Sequence, residues 1–106
     1  MKPEISVIMS VYNGETYLKE AIESVINQSF TDWELIIIND CSTDSTPQIL
    51  SKYADADSRI KVHDNEVNLR LPSSLNKALT LAEGKYIARM DADDICLPER
   101  FEKQYR

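Results

Sequence analysis

The densest run of chemically capable side chains is Asp91-Ala92-Asp93-Asp94. Carboxylates two positions apart in a non-helical turn can present oxygens to a hard divalent cation such as Mg²⁺ or Mn²⁺. Such ions take one or two carboxylates and complete their shell with waters and substrate phosphates. The same residues also suit a helix N-cap after a strand, and the residues alone leave both roles open. An EF-hand is excluded. Asp91, Asp93 and Glu102 fall at its positions 1, 3 and 12, but Ile95 stands at position 5 and Cys96 where glycine is required. Tyr12 offers a flat ring for a nucleobase, where stacking contributes ~1–3 kcal/mol, or an aromatic closing the rim of a core. Asp40 can accept from a base N–H or a ribose hydroxyl, or form an Asx turn. Arg70 and Lys77 flank a predicted helix and either counter phosphate charge or stay solvated. His63, the single histidine, has no partner pattern and reads as a surface residue of an edge strand. The only glycines are Gly14 and Gly84, which excludes the GxGxxG and P-loop cradles. Phosphates must then be held by a cation and side chains, which puts weight on Asp93.

These residues need a scaffold to bring them together. Ile5–Val11 reads as a buried strand closed by the turn signal Asn13-Gly14. Leu18, Ala21, Ile22, Val25 and Ile26 recur at helical spacing opposite Lys19, Glu20 and Glu23, predicting a helix from about Glu15 to Gln28. Trp33–Ile38 is a second strand, running into the polar stretch from Asn39 to Asp44. A second helix starts near Ser45, with Ser45 and Gln48 as a capping box, Pro47 in the first turn, and Ile49, Leu50 and Tyr53 facing inward. Arg59–His63 alternates as a half-exposed edge strand. Asp64–Leu71 reads as a polar loop. Pro72 then opens a third helix with Leu75, Ala78, Leu79 and Ala82 on its buried stripe and Gly84 as its stop. Tyr86–Met90 is a fourth strand that runs directly into the acidic cluster. Pro98 starts a last helical segment in which Leu97, Phe101 and Tyr105 can face a core.

The alternation β-α-β-α-β-α-β predicts an α/β fold, a Rossmann-like parallel sheet with helices on both faces. Right-handed crossovers favour strand order 3-2-1-4. In that order the winding reverses between strands 1 and 4, and ligands of open α/β sheets bind at such a switch point, beyond the carboxyl ends of the strands. Ser10-Val11-Tyr12-Asn13, Asp40 and Asp91-Ala92-Asp93 then converge on one crevice.

With 106 residues the chain can build one modest core, making it one domain or part of one. A hydrophobic fraction of 42% argues against disorder. Eighteen acidic against twelve basic residues, a net charge of −6, disfavour nucleic acid as a partner and leave room for a cation. The longest apolar runs, Ile5–Val11 and Leu35–Ile38, fall far short of the ~18 residues of a membrane span. The N-terminus makes a poor secretory signal. Cys41 and Cys96 match neither CxxC nor zinc-ligand spacing. Two reduced thiols in a cytoplasmic protein are expected.

Several strings, in order, carry a family resemblance. They are Ser6-Val7-Ile8-Met9-Ser10-Val11-Tyr12-Asn13-Gly14-Glu15 with Tyr17-Leu18, and Glu23-Ser24-Val25-Ile26-Asn27-Gln28-Ser29-Phe30. Trp33-Glu34-Leu35-Ile36-Ile37-Ile38-Asn39-Asp40 follows with Ser42-Thr43-Asp44-Ser45-Thr46, then Asn68-Leu69 and Ser74-Leu75-Asn76-Lys77-Ala78. Gly84-Lys85-Tyr86-Ile87-Ala88-Arg89-Met90-Asp91-Ala92-Asp93-Asp94 completes the set. Over nearly its whole length the chain resembles the nucleotide-sugar glycosyltransferases of family 2, which have the GT-A fold.

The resemblance implies that residues 1–106 form the N-terminal, nucleotide-sugar-binding half of such a domain. It implies that Ser10, Val11 and Tyr12 line the base pocket, that Glu15 lies nearby, and that Asp40 bonds the base edge. Asp91-Ala92-Asp93 matches the family's DxD motif, with Asp91 toward the ribose and metal and Asp93 as direct ligand of Mn²⁺ or Mg²⁺. The loop before the third helix would pass near the diphosphate, where Arg70 stands in place of a frequent Gly; Ala78 is a second departure of that kind.

The implied reaction is inverting transfer of a sugar from a nucleoside-diphosphate sugar, a UDP-sugar by frequency in the family, to an acceptor hydroxyl. The acceptor would be a carbohydrate or lipid-linked, in cell-surface polysaccharide or glycoconjugate synthesis. Other segments would supply the general base, the acceptor site and any peripheral association with the inner face of the membrane. The 106 residues alone are therefore expected to bind donor and not turn over. The alternative is a non-catalytic nucleotide- or metal-binding module of the same fold. A receiver-like domain or a haloacid-type phosphatase needs acidic residues after strand 1, where Ser10-Val11-Tyr12-Asn13 stand instead.

Overall fold

β-Branched residues crowd two stretches, Ile5–Val11 and Trp33–Asn39, and their stiff side chains favour the pleated backbone. Both are strands in the computed structural model, which describes residues 3–65 and 70–90. The described elements alternate as β1 (Ile5–Val11), α1 (Leu18–Ile26), β2 (Trp33–Asn39), α2 (Thr46–Ala56), β3 (Ile60–Asp64), α3 (Arg70–Leu81) and β4 (Tyr86–Arg89). The strands pair in parallel in the order β3-β2-β1-β4, as the sequence predicts. The expected segment after Pro98 and the cluster Asp91–Asp94 lie outside the described residues.

Register sets the two faces. Ser6 opposes Glu34 and Ile8 opposes Ile36, on a face whose Ile8, Ile36 and Ile38 pack against Ala78 of α3, with Leu75 and Ala82 alongside. The other face presents Ile5, Val7, Met9, Val11, Leu35 and Ile37 to Leu18, Ala21, Ile22 and Val25 of α1 and Leu50 of α2. Buried on both faces, β2 carries the unbroken apolar run Leu35–Ile38, as central parallel strands do. Ile49 and Tyr53 are partly buried against the same core. Tyr53 Oη also donates to Glu23 Oε2 (2.5 Å), tying α2 to α1. Burial and the neighbouring Glu23 carboxylate push the Tyr53 hydroxyl up to about 12.

The structure corrects several boundaries. Helix α1 runs over nine residues, not from Glu15 to Gln28, because Glu15 is held outside it by bonds to the loop before α2. The Ser45–Gln48 capping box does not form: Ser45 is the N-cap residue but makes no side-chain cap bond. Asp44 Oδ1 takes its place by accepting from Thr46 N–H (2.9 Å). Strand β3 is shifted one residue, to Ile60–Asp64, and His63 on it is half-buried. Helix α3 begins at Arg70, so the expected loop ends earlier and Pro72 falls in the first turn, where its missing N–H costs nothing. Leu79, expected on the buried stripe, is 45% exposed. It sits one residue beyond Ala78, about 100° around the helix from the buried stripe.

Gly84 has a different task from the predicted helix stop, since α3 ends three residues earlier. The chain here crosses so close to β1 that a Cβ would stand 2.5 Å from Ser6 N and 2.8 Å from Ile5 C. Gly84 N–H donates to Ser6 Oγ (2.7 Å). Ser6 Oγ in turn donates to Glu34 Oε2 (2.5 Å), a carboxylate that also accepts from Glu83 N–H (2.8 Å) and pairs with Lys61 Nζ (2.8 Å). A Gly84→Ala chain must shift backbone rather than a side chain, and should lose about 1–3 kcal/mol in urea unfolding. An unchanged midpoint would contradict the close approach.

Candidate functional site

The carboxyl edge of the sheet is organised by bonds between the ends of neighbouring strands. Asp40 N–H donates to Val11 O (2.9 Å), so the residue after β2 is held beside the last residue of β1. Met90 N–H donates to Ile8 O (3.0 Å), which brings the residue preceding Asp91 alongside β1. Ser10 is half-buried and Val11 buried, whereas Tyr12 is 53% exposed at the strand tip. Among the described residues, two non-glycine positions take left-handed backbone, Asn13 (φ 52°) and Cys41 (φ 61°). Both lie just beyond the carboxyl ends of the two central strands, and strained positions of this kind cluster at functional sites.

A dense set of bonds joins the β1–α1 loop to the β2–α2 loop. Asn13 N–H donates to Ser42 Oγ (3.0 Å), and Thr43 N–H donates to Asn13 Oδ1 (2.7 Å). Gly14 N–H donates to Thr46 Oγ1 (2.9 Å). Glu15 is bonded at both its backbone and its side chain: its N–H donates to Asp44 Oδ2 (3.2 Å), and Ser45 N–H donates to Glu15 Oε2 (3.0 Å). Desolvation pushes the Asp44 carboxyl up, but donors on Thr46 and the Glu15 N–H outweigh it and hold the group below its ordinary value. Gly14 is required by packing: a Cβ there would stand 2.6 Å from Val11 Cγ2. The two loops therefore act as one clasp that fixes where the exposed Tyr12 ring leaves the sheet.

Asp40 is 3% exposed, and its Oδ1 accepts from Asn65 Nδ2 (2.9 Å). Asn65 Nδ2 also donates to Ser74 Oγ (3.0 Å), and Lys77 Nζ donates to Asn65 Oδ1 (2.9 Å). A buried polar chain thus runs from β2 across the end of β3 to α3. Beside it, Asn39 Nδ2 donates to Asp64 Oδ1 (3.0 Å).

The described edge thus brings together Ser10, Val11, Tyr12, Glu15 and Asp40. Arg70 is the first residue of α3. Asp91, Ala92 and Asp93 lie outside the described residues. Among the described residues no group of three His, Cys, Asp or Glu gathers in a metal-binding arrangement, and no helix is long and apolar enough to cross a membrane. Cys41 is free, and its Sγ donates to Asn65 O (3.1 Å). The sequence reading missed Asn65, Ser74 and the Ser42–Thr46 half of the clasp. Ser74 carried a signal: it stands four residues before Ala78, a hydroxyl on the stripe that should be apolar.

A parallel sheet with this strand order and polar groups at its switch point defines an α/β protein of Rossmann-like type, a class whose ligands bind at that point. Its sequence places it further. The family model for glycosyl transferase family 2 matches residues 6–106, and the chain belongs to that family. It is 52% identical to EpsE of Bacillus subtilis (strain 168) over 103 residues, 96% of this chain and 37% of EpsE. It is 42% identical over 104 residues to the O-antigen biosynthesis glycosyltransferase WbnJ of Escherichia coli, 95% of this chain and 40% of WbnJ. The crystal structure of S. aureus TarS 1–349 in complex with UDP superposes with a TM-score of 0.87 at 37% identity, covering 97% of this chain and 30% of that one. The fold is accordingly that of the GT-A glycosyltransferases, and the chain spans between 30% and 40% of these three proteins.

Proposed function

We propose that the full-length protein transfers a sugar, with inversion, from a nucleoside-diphosphate sugar to an acceptor hydroxyl in polysaccharide or glycoconjugate synthesis. Residues 1–106 are then the donor-binding half of its domain. The observation that carries this reading is the shared edge: the tips of β1 and β2, and the end of β4 that leads into Asp91, meet where the winding of the sheet reverses. The UDP bound by TarS supports uridine as the nucleoside, and the name of WbnJ supports a glycan acceptor.

In this reading Tyr12 stacks on the base while Ser10 and Val11 form the wall beneath it. Asp40 accepts from the base edge. Glu15 belongs to the clasp that holds Tyr12, and Arg70, the first residue of α3, is the candidate counter-charge to the diphosphate. The donor set Asp91 and Asp93, two hard oxygen ligands separated by the small Ala92, fits Mn²⁺ or Mg²⁺. When bound, such a cation neutralises charge on the leaving diphosphate. A general base must take the acceptor proton, and it belongs to the part of the full-length protein beyond these residues, with the acceptor site. Residues 1–106 alone therefore bind donor weakly and do not turn over.

Calorimetric titration of the full-length protein with UDP in Mn²⁺ tests the reading. Tyr12→Ala should weaken binding by about tenfold, the equivalent of a stacking contribution within ~1–3 kcal/mol. Its fold should be unaffected, because the ring is mostly in solvent. Undiminished affinity in Tyr12→Ala would place the base elsewhere.

A further inference from the structure

Asn65 follows β3 directly, is 7% exposed, and has every polar group engaged. Its N–H donates to Asn39 O (2.9 Å) and its carbonyl accepts from Cys41 Sγ (3.1 Å). Its side-chain nitrogen donates to Asp40 Oδ1 and Ser74 Oγ, and its side-chain oxygen accepts from Lys77 Nζ. One residue thus joins the end of β2, the loop after it, and two turns of α3.

The amide stands between opposite charges, a carboxylate on its nitrogen side and an ammonium on its oxygen side. Only one sense satisfies both: rotated by 180°, the amide oxygen would meet the carboxylate and its NH₂ the ammonium. Lys77 is thereby kept one side chain away from Asp40. A lysine in direct contact would compete with any ligand donor for the carboxylate. An amide orients the same carboxylate through a neutral hydrogen bond, and a carboxylate accepts at about four positions.

We propose that Asn65 is a positioning residue for base recognition. It holds the Asp40 carboxylate for the N–H of the donor's nucleobase, with Ser74 and Lys77 locking the amide in its sense. The inference rests on the donor-site reading above. It extends that reading to a residue that touches neither base nor phosphate.

The test measures discrimination rather than affinity. The full-length protein is titrated with UDP and with its N3-methyl analogue, which keeps the ring but lacks the imide donor. The wild type should prefer UDP by about tenfold or more, as expected for a hydrogen bond to a charged acceptor. In Asn65→Ala the preference should fall several-fold, because Asp40 Oδ1 loses the amide that orients it. Lys77→Met, on a partly exposed helix position, should move the ratio in the same direction by a smaller factor. It carries the test if Asn65→Ala does not fold.

A merely structural role would weaken both ligands alike and leave the ratio at its wild-type value. That result in the folded variant overturns the proposal. Equal binding of the two ligands by the wild type would instead overturn the role of Asp40, and absence of UDP binding would overturn the donor site itself.

Discussion

Full-length protein carrying Asp93→Ala should bind UDP equally well with and without Mn²⁺. In Mn²⁺ its affinity should lie on the order of a hundredfold below that of the wild type. Residues that merely orient a metal ligand typically change metal affinity by about 10–100-fold, so removal of a direct ligand belongs at or above the top of that range. The chain also has little in reserve. With Gly14 and Gly84 its only glycines, it has no glycine-rich loop to wrap a diphosphate in backbone N–H groups. In the proposed reading, phosphate recognition therefore passes through the cation and through side chains, with Arg70 a candidate. Titration of both proteins with UDP, each with Mn²⁺ and with a chelator, gives the four affinities required. A Mn²⁺ dependence that survives in Asp93→Ala would remove this residue from the metal site.

The second large effect concerns stability, at the edge of the sheet opposite the site. Glu34 is buried, yet its carboxylate accepts from Ser6 Oγ and Glu83 N–H and pairs with Lys61 Nζ. Burial raises the carboxyl, but the bonds from Lys61, Ser6 and Glu83 together outweigh it, and the group titrates below its ordinary 4.5. Glu34→Ala removes the acceptor of all three donors. The loss should be about 3 kcal/mol, the lower end for breaking a buried pair, because Lys61 can turn to solvent. A pair on the open surface would contribute at most about 1 kcal/mol.

Because the folded-state value is depressed, this contribution is complete above pH 4.5 and is lost as pH falls through the folded-state value. Glu34→Ala should therefore lose less stability than the wild type on acidification below pH 4.5. Urea unfolding at neutral and acidic pH measures both effects. A neutral-pH loss below about 1 kcal/mol would show that Lys61, Ser6 and Glu83 find other partners without cost.

The fold was legible because its signals are local and periodic. Apolar runs of strand length around Ile8 and Ile36, and the 3.6-residue stripe from Leu18 to Ile26, specify element type without reference to the rest of the chain. Crossover handedness then leaves few strand orders, of which β3-β2-β1-β4 is the one found. What the sequence hid depends on contacts between distant residues. Glu15 looks like the first turn of a helix, but partners about thirty residues away hold it in a loop. Ser45 has the right type for a cap, but Asp44 makes the bond first. Gly84 looks like a helix stop, yet what requires glycine is the backbone of β1, 78 residues earlier.

The candidate site was legible as an edge rather than as a set of contacts. Tyr12 and Asp40 could be placed on it by topology alone. That Asp40 is reached by an amide from the end of β3, itself braced by Ser74 and Lys77 from α3, follows no spacing rule. Only the polar Ser74 on an otherwise apolar stripe hinted at it.

The most direct measurement is a crystal structure of the full-length protein with UDP and Mn²⁺, using the anomalous signal to locate the metal. The account predicts the uracil ring against Tyr12 with its imide N–H on Asp40, and the Mn²⁺ peak at Asp93 beside the diphosphate. UDP bound away from the tips of β1 and β4, or a metal peak remote from Asp93, would contradict it.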